Sequence, residues 1–270
     1  MASDSSVCRD MTHQTERILS KVSQITLMFW VIKIAATTLG ETGGDLLSMS
    51  LGLGYLLSTA IFAGLFVVLL VLQISADRYH PYLYWATILA STTVGTTLAD
   101  YVDRALGIGY AGGVCILVSL VVISLLVWKT VAGTISPHQI VSRQNELFYW
   151  LTITFSQTLG TALGDWIADS AGFGYTGGML LFAGLLLLII IAHFYSKISA
   201  TLLFWLAFVL TRPLGAVVGD FLDKPIAAGG LDLSRLSASV VLLGFMVGCI
   251  YLYRNDGRVV SDAKDRLKKN

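Results

Sequence analysis

Phe29-Trp30-Val31-Ile32-Lys33, followed by Gly40-Glu41-Thr42-Gly43-Gly44-Asp45, decides how this chain is read, because its pattern returns three more times. The second copy is Tyr84-Trp85 with Gly95 and Asp100, the third Tyr149-Trp150 with Gly160 and Asp165, the fourth Phe204-Trp205 with Gly215 and Asp220. In each copy the glycine lies 11 residues, and the aspartate 16, after the first aromatic. Four matches in register make the chain a repeat protein, and its unit sets the fold.

The unit carries two long apolar stretches. Of the 270 residues, 55% are hydrophobic and only 13% are charged, against roughly 25% charged in soluble domains. Mean hydropathy is +0.74. Runs of about 20 apolar residues match a hydrocarbon layer ~30 Å thick when helical. Eight spans are expected, at about 24–46, 52–74, 81–105, 110–132, 147–169, 175–195, 199–222 and 236–254. Nothing alternates at the strand period that a membrane barrel requires. The expected class is therefore all-α: a polytopic membrane protein of eight transmembrane helices, built from four parallel two-helix repeats around a pseudo-symmetry axis.

The repeats occupy about 24–74, 81–132, 147–195 and 199–254, within a membrane domain of 24–254. A polar N-terminal segment (1–23) precedes it and a basic tail (255–270) follows. Repeat starts are 55, 65 and 55 residues apart, and the long middle step is the 131–146 connector between two halves. Because each repeat holds two spans, all four enter the membrane from the same side, unlike inverted repeats. The odd-numbered helices carry the aromatic, glycine and aspartate signature, whereas the even-numbered ones are nearly pure hydrocarbon. An inner ring of odd helices with even helices facing lipid is the expected packing.

Lys and Arg set the orientation. Arg9, Arg17 and Lys21, then Arg78, Lys129, Arg143 and Lys197, then six residues of the tail lie on one side. Only Arg104, Lys224 and Arg235 lie on the other. Both termini are expected in the cytoplasm. A net charge of +1 with no basic domain gives no reason to invoke nucleic acid, and Cys8, Cys115 and Cys249 lack any metal-site or disulfide spacing.

Chemistry is expected on one face of the odd helices. Lys33, Thr37, Glu41 and Asp45 are four residues apart and share a stripe. The equivalent stripes hold Thr92, Thr96 and Asp100, then Gln157, Thr161 and Asp165, then Arg212, Ala216 and Asp220. Charges at this depth cost roughly 2.5–3.5 kcal/mol on insertion scales and face a bundle interior or a water path. Five acids (Glu41, Asp45, Asp100, Asp165, Asp220) against Lys33 and Arg212 leave surplus negative charge. That balance suits a small cation or proton, and the five acids are the candidate metal ligands.

A competing use of the aspartates is structural, as acceptors for N–H groups at the glycine-rich start of the following helix. Lys33, Glu41, Gln157 and Arg212 each occur once at their repeat position, which singles them out; Lys33 and Glu41 should find partners on other helices. Asp103, Asp169 and Asp223 are expected at the outer boundary. Trp30, Trp85, Trp150 and Trp205 fall at cytoplasmic helix ends, where an interfacial belt or packing is expected. The repeat glycines should permit close helix approach. Neither a haem-binding histidine pair nor a nucleophile–base set is present, so neither a cofactor nor enzymatic activity is expected.

The Phe/Tyr-Trp…Thr-x-Gly-x-x-x-x-Asp pattern, clearest over Phe29–Asp45 and Tyr84–Asp100, resembles a bacterial membrane-protein family defined by a repeat of unknown function (domain of unknown function 347). The likeness covers about residues 24–254. It implies a multi-spanning protein of the bacterial inner membrane and supplies no substrate. Repeat four departs from it, with Pro213 where the others have Thr38, Thr93 and Thr158, and a kink is expected there. The residues themselves favour a permease for a small solute, most simply a cation, a divalent metal or a proton-coupled substrate. The alternative is a non-transporting membrane scaffold or partner subunit. The lipid bilayer is the expected surrounding, and homo-oligomerisation is left open.

Overall fold

In the computed structural model, which describes residues 22–137, 140 and 142–269, eight long α-helices follow one another and no strand occurs among the described residues. They are α1 (Leu27–Asp45), α2 (Gly54–Ser75), α3 (Pro81–Asp100), α4 (Tyr110–Ala132), α5 (Arg143–Asp165), α6 (Gly174–Tyr195), α7 (Ala200–Asp223) and α8 (Arg235–Lys269). The expected spans fall on these helices to within a few residues, except that the eighth continues through the expected tail to Lys269. Most of the polar N-terminal segment, with Arg9, Arg17 and Lys21, and also His138, lies outside the described residues.

Local signals start the odd helices. The hydroxyls of Thr26, Ser142 and Ser199 accept N–H bonds from Phe29, Asn145 and Leu202, and Pro81 opens α3. Each supplies a group that the first helical turn lacks or dispenses with one it cannot use. Three odd helices end in a widened π-helical turn after their aspartate, at Leu46–Ser50, Tyr101–Ala105 and Trp166–Ser170. The reversal into the next helix then uses Gly52 and Gly54, Gly107 and Gly109, Gly172 and Gly174, all at positive φ. Only glycine holds that conformation without a Cβ penalty. The fourth repeat lacks the π turn, and α7 runs unbroken through Pro213.

Helices α1, α3, α5 and α7 pack in cyclic order, α7 closing back onto α1. Each even helix leans on the odd helix of the next repeat: α2 on α3, α4 on α5, α6 on α7, and α8 on α1. The ring is thus closed by exchange between neighbouring repeats.

Among the described residues, five helices are long and apolar enough to cross a membrane: Gly54–Ser75, Tyr110–Ala132, Gly174–Tyr195, Ala200–Asp223 and Arg235–Tyr253. Four of these are the even helices, whose Leu, Val and Ile side chains stand exposed. Helices α1, α3 and α5 fall short in mean hydropathy because their Thr, Gly and acidic residues face inward. Some of their hydroxyls are satisfied by the helix itself: Thr38, Thr93 and Thr158 each donate to the carbonyl four residues back. The chain is a helical repeat protein of membrane-protein character.

Candidate functional site

Stacking the stripes of the four odd helices gives five levels inside the ring, and the contacts between them run in one sense. At the first level Phe29 meets Trp85, Tyr84 meets Trp150, Tyr149 meets Trp205 and Phe204 meets Trp30, with ring centroids 5.4, 5.7, 6.2 and 5.9 Å apart. Every first aromatic therefore touches the tryptophan of the next repeat. Tyr84 and Tyr149 also share a 2.6 Å hydroxyl–hydroxyl bond. Trp85, Trp150 and Trp205 are buried and Trp30 is half-buried. Of the belt and the packing expected here, packing is found for three of the four rings, because the cyclic contact removes them from the helix surface.

About three turns further on, the repeat glycines make the closest approaches. A Cβ on Gly40 would strike Thr92, one on Gly160 would strike Arg212, and one on Gly215 would strike Thr37. At Gly95 it would lie 2.8 Å from the carbonyl carbon of Gln157. Each glycine thus admits the third-level residue of the next repeat, so the expected close approach is found at all four.

The third and fourth levels are organised by Arg212, which is fully buried. Its Nη1 donates to Glu41 Oε2 at 2.9 Å, and its Nη2 donates to the hydroxyls of Thr96 and Thr161, both at 2.5 Å. The carbonyls of Thr37 and Thr92 accept weaker bonds at 3.4 Å. Thr96 also donates to Glu41 at 3.3 Å and Thr161 at 3.5 Å. One guanidinium on α7 therefore binds all three other helices of the ring. Glu41 finds its partner on another helix, as expected. Lys33 finds none among the described residues: its ammonium lies 3.8 Å from the centre of the Phe208 ring, and Nζ has no hydrogen-bond partner there. Gln157 is equally buried, with both amide atoms unpartnered among the described residues.

The fifth level holds the aspartates, all buried. Among the described residues none accepts the backbone N–H bond considered above. Cations bind them in pairs instead. Arg104 meets Asp100 at 3.0 Å and Asp165 at 2.9 Å. Lys224 meets Asp45 at 2.9 Å and Asp220 at 3.1 Å. Arg235 binds Asp223 at 2.6 Å and approaches Asp45 at 3.7 Å. The surplus of negative charge is narrowed but persists: Arg104, Lys224 and Arg235, assigned to the outer loops, fold back onto the ring, where Asp223 takes Arg235. Asp103 and Asp223 are buried as well, whereas Asp169 stands exposed at the boundary. Burial disfavours the Lys224 ammonium, but Asp220, Asp45 and Asp223 outweigh it and hold its pKa above the ordinary lysine value.

A signal for these cations is present in the sequence. Asp100-Tyr101-Val102-Asp103-Arg104 and Asp220-Phe221-Leu222-Asp223-Lys224 share a base four residues after the aspartate, one helical turn on, and repeats one and three lack it.

Of the five candidate metal ligands, Asp45 and Asp220 come together with Asp223, their oxygens within 4.8 Å of one another. Glu41 is engaged by Arg212, and Asp100 and Asp165 by Arg104. An apolar groove of about 480 Å³, lined by Leu53, Tyr55, Leu57, Tyr101 and neighbours, contains none of the candidate residues.

No curated protein and no solved structure matches this chain. The family model described as "Repeat of Unknown Function (DUF347)" matches it four times, at residues 28–79, 83–134, 148–199 and 203–256. Each match opens next to a first aromatic and spans one odd helix with its even partner. By these four matches, which take in most of its length, the chain belongs to the DUF347 repeat family.

Proposed function

We propose that this protein is a permease for a small ionic solute, a cation or a proton-coupled substrate, embedded in the bacterial inner membrane. In this reading all eight helices cross the bilayer, both termini face the cytoplasm and the cargo path follows the axis of the odd-helix ring. One observation carries the reading: polar and charged side chains occupy successive buried levels inside a ring of apolar-jacketed helices. A core of that polarity is costly in a membrane and marks a path or a site more often than a scaffold. Aromatic contacts stop the column at one end and the paired aspartates at the other, so the conformation is occluded. Access then requires the cation bridges at the outer end to release.

Flux in proteoliposomes tests this. Wild-type protein should carry a proton or cation current that falls at least tenfold in both Glu41→Gln and Asp100→Asn. Equal flux in wild type and both variants, across monovalent and divalent cations, removes the carboxylates from the mechanism.

The second reading, a scaffold or partner subunit, draws on the same ion pairs. Every ring carboxylate touches a protein cation, and Arg212 alone ties the four odd helices together. Under that reading the variants lower stability and no flux is found for any of them.

A further inference from the structure

The outer level of the ring holds more carboxylates than cations, and the second and third levels hold the reverse. Lys33 is fully buried, with its Nζ against the Phe208 ring and no hydrogen-bond partner among the described residues. At the next level Arg212 Nε, the Thr92 hydroxyl and both amide atoms of Gln157 have no partner among the described residues. Glu41 lies one level further out and is shared by Arg212, Thr96 and Thr161. Glu146, toward the cytoplasmic end, is engaged by Gln73 of α2 at 3.4 Å. Two buried cations against one carboxylate leave a positive charge without a counter-ion. A buried ion without a counter-ion is destabilising, and the Phe208 ring offsets only part of that.

The unpartnered atoms are mostly donors. An ammonium offers three N–H groups, an amide two, and the guanidinium Nε and the hydroxyl one each. Acceptors are limited to the amide and hydroxyl oxygens. Donors around an unmatched positive charge fit an anion, and buried donors left empty are destabilising.

We propose that the second and third levels of the ring form a binding site for one small monovalent anion of halide, nitrate or formate size. The Lys33 ammonium and the Gln157 amide N–H groups hold it, with the Thr92 hydroxyl and Arg212 Nε completing the donor set. As a companion to the cation or proton handled further out, the anion rests on the permease reading; its binding is measurable apart from transport.

The experiment titrates detergent-solubilised full-length protein with chloride, nitrate or formate at constant ionic strength, gluconate as the balancing anion, and follows the thermal unfolding midpoint. Saturable stabilisation is expected, retained in Lys33→Arg and in the lipid-facing control Gly184→Ala. The apparent Kd should rise at least tenfold in Lys33→Met and in Gln157→Leu. Should Lys33→Met fail to fold, Gln157→Leu decides alone. A salt response that does not saturate, or that saturates with one Kd in wild type and Gln157→Leu, overturns the site and leaves water as the filler of these groups. Saturable binding without flux of any ion would refute the permease and keep the site, and flux without saturable binding would do the reverse.

Discussion

Two kinds of position line the ring, and they behave differently. The aromatic, glycine and aspartate positions occur in all four repeats, and at the first two each repeat contacts the next in the same way. Lys33, Glu41, Gln157 and Arg212 occur once each, at levels where their counterparts include Ile88, Ile153 and Phe208, or Thr37 and Thr92, or Thr96, Thr161 and Ala216. The repeated set closes the ring; the singular set breaks its sameness and places charge inside. The aspartates fall between the two. They are repeated four times, yet their cations come only from repeats two and four, so Arg104 ties the second repeat to the third and Lys224 ties the fourth to the first. The seams between repeats one and two, and between three and four, carry no such bridge among the described residues.

The sharpest way to separate the two sets is to remove Arg212. Arg212→Met leaves Glu41 buried without its cation, and loss of one partner from a buried pair costs about 3–5 kcal/mol. Denaturant unfolding in micelles should show that loss, and Arg212→Met with Glu41→Leu should recover more than half of it. A single-variant loss below about 1 kcal/mol would mean that the guanidinium does not hold the ring together.

The repeated set is broken most directly at Gly95. An alanine there would meet the backbone of Gln157 and Thr158, 2.8 and 2.9 Å away, which cannot swing aside as a side chain can. Overpacking costs about 1–3 kcal/mol, and Gly95→Ala belongs at the upper end, measured as the same unfolding shift. An unaffected variant would show that the helices separate freely at this level.

The paired aspartates test the mixed case. Arg104 and Lys224 are 27% and 14% exposed, so solvent screens part of each interaction. Arg104→Ala and Lys224→Ala should each cost about 1–2 kcal/mol. They share no partner, so the double variant should be additive within about 0.5 kcal/mol. The sign of the pH effect follows from Lys224. Its pKa is raised on folding, so its contribution is complete below the unfolded lysine value of about 10.4 and is lost only as pH climbs through the folded one. Between pH 7 and 9 the difference between wild type and Lys224→Ala should therefore stay constant.

Much of this was open to the reader of the sequence, and the omissions share a cause. A period of 55 residues and a four-residue stripe locate the ring, its inward face and its levels, because helical geometry converts spacing directly into facing. Spacing says nothing about which neighbour a side chain will meet. For Trp85 and Trp150 the sequence leaves belt and packing both open, and the cyclic order decides it by placing them against Phe29 and Tyr84. Arg104 and Lys224 look like loop charges because they follow the last apolar residue. Their side chains reach back one turn to the aspartates, and only the i, i+4 relation within Asp100–Arg104 and Asp220–Lys224 hints at it. The choice of a second carboxylate for each cation depends on ring order, which no single repeat encodes.

The smallest effect expected belongs to the outer helices and completes the contrast. Gly184 on α6 has no atom within 4 Å of the position its Cβ would take, and its neighbours Leu187 and Leu188 stand exposed. An added methyl there meets lipid or detergent and removes backbone freedom from the unfolded chain. Gly184→Ala should thus be neutral or stabilising by up to about 1 kcal/mol, opposite in sign to Gly95→Ala. If the two glycines answered alike, the division between a tightly closed inner ring and a loosely constrained outer jacket would fail, because the same methyl would then be meeting the same surroundings in both places.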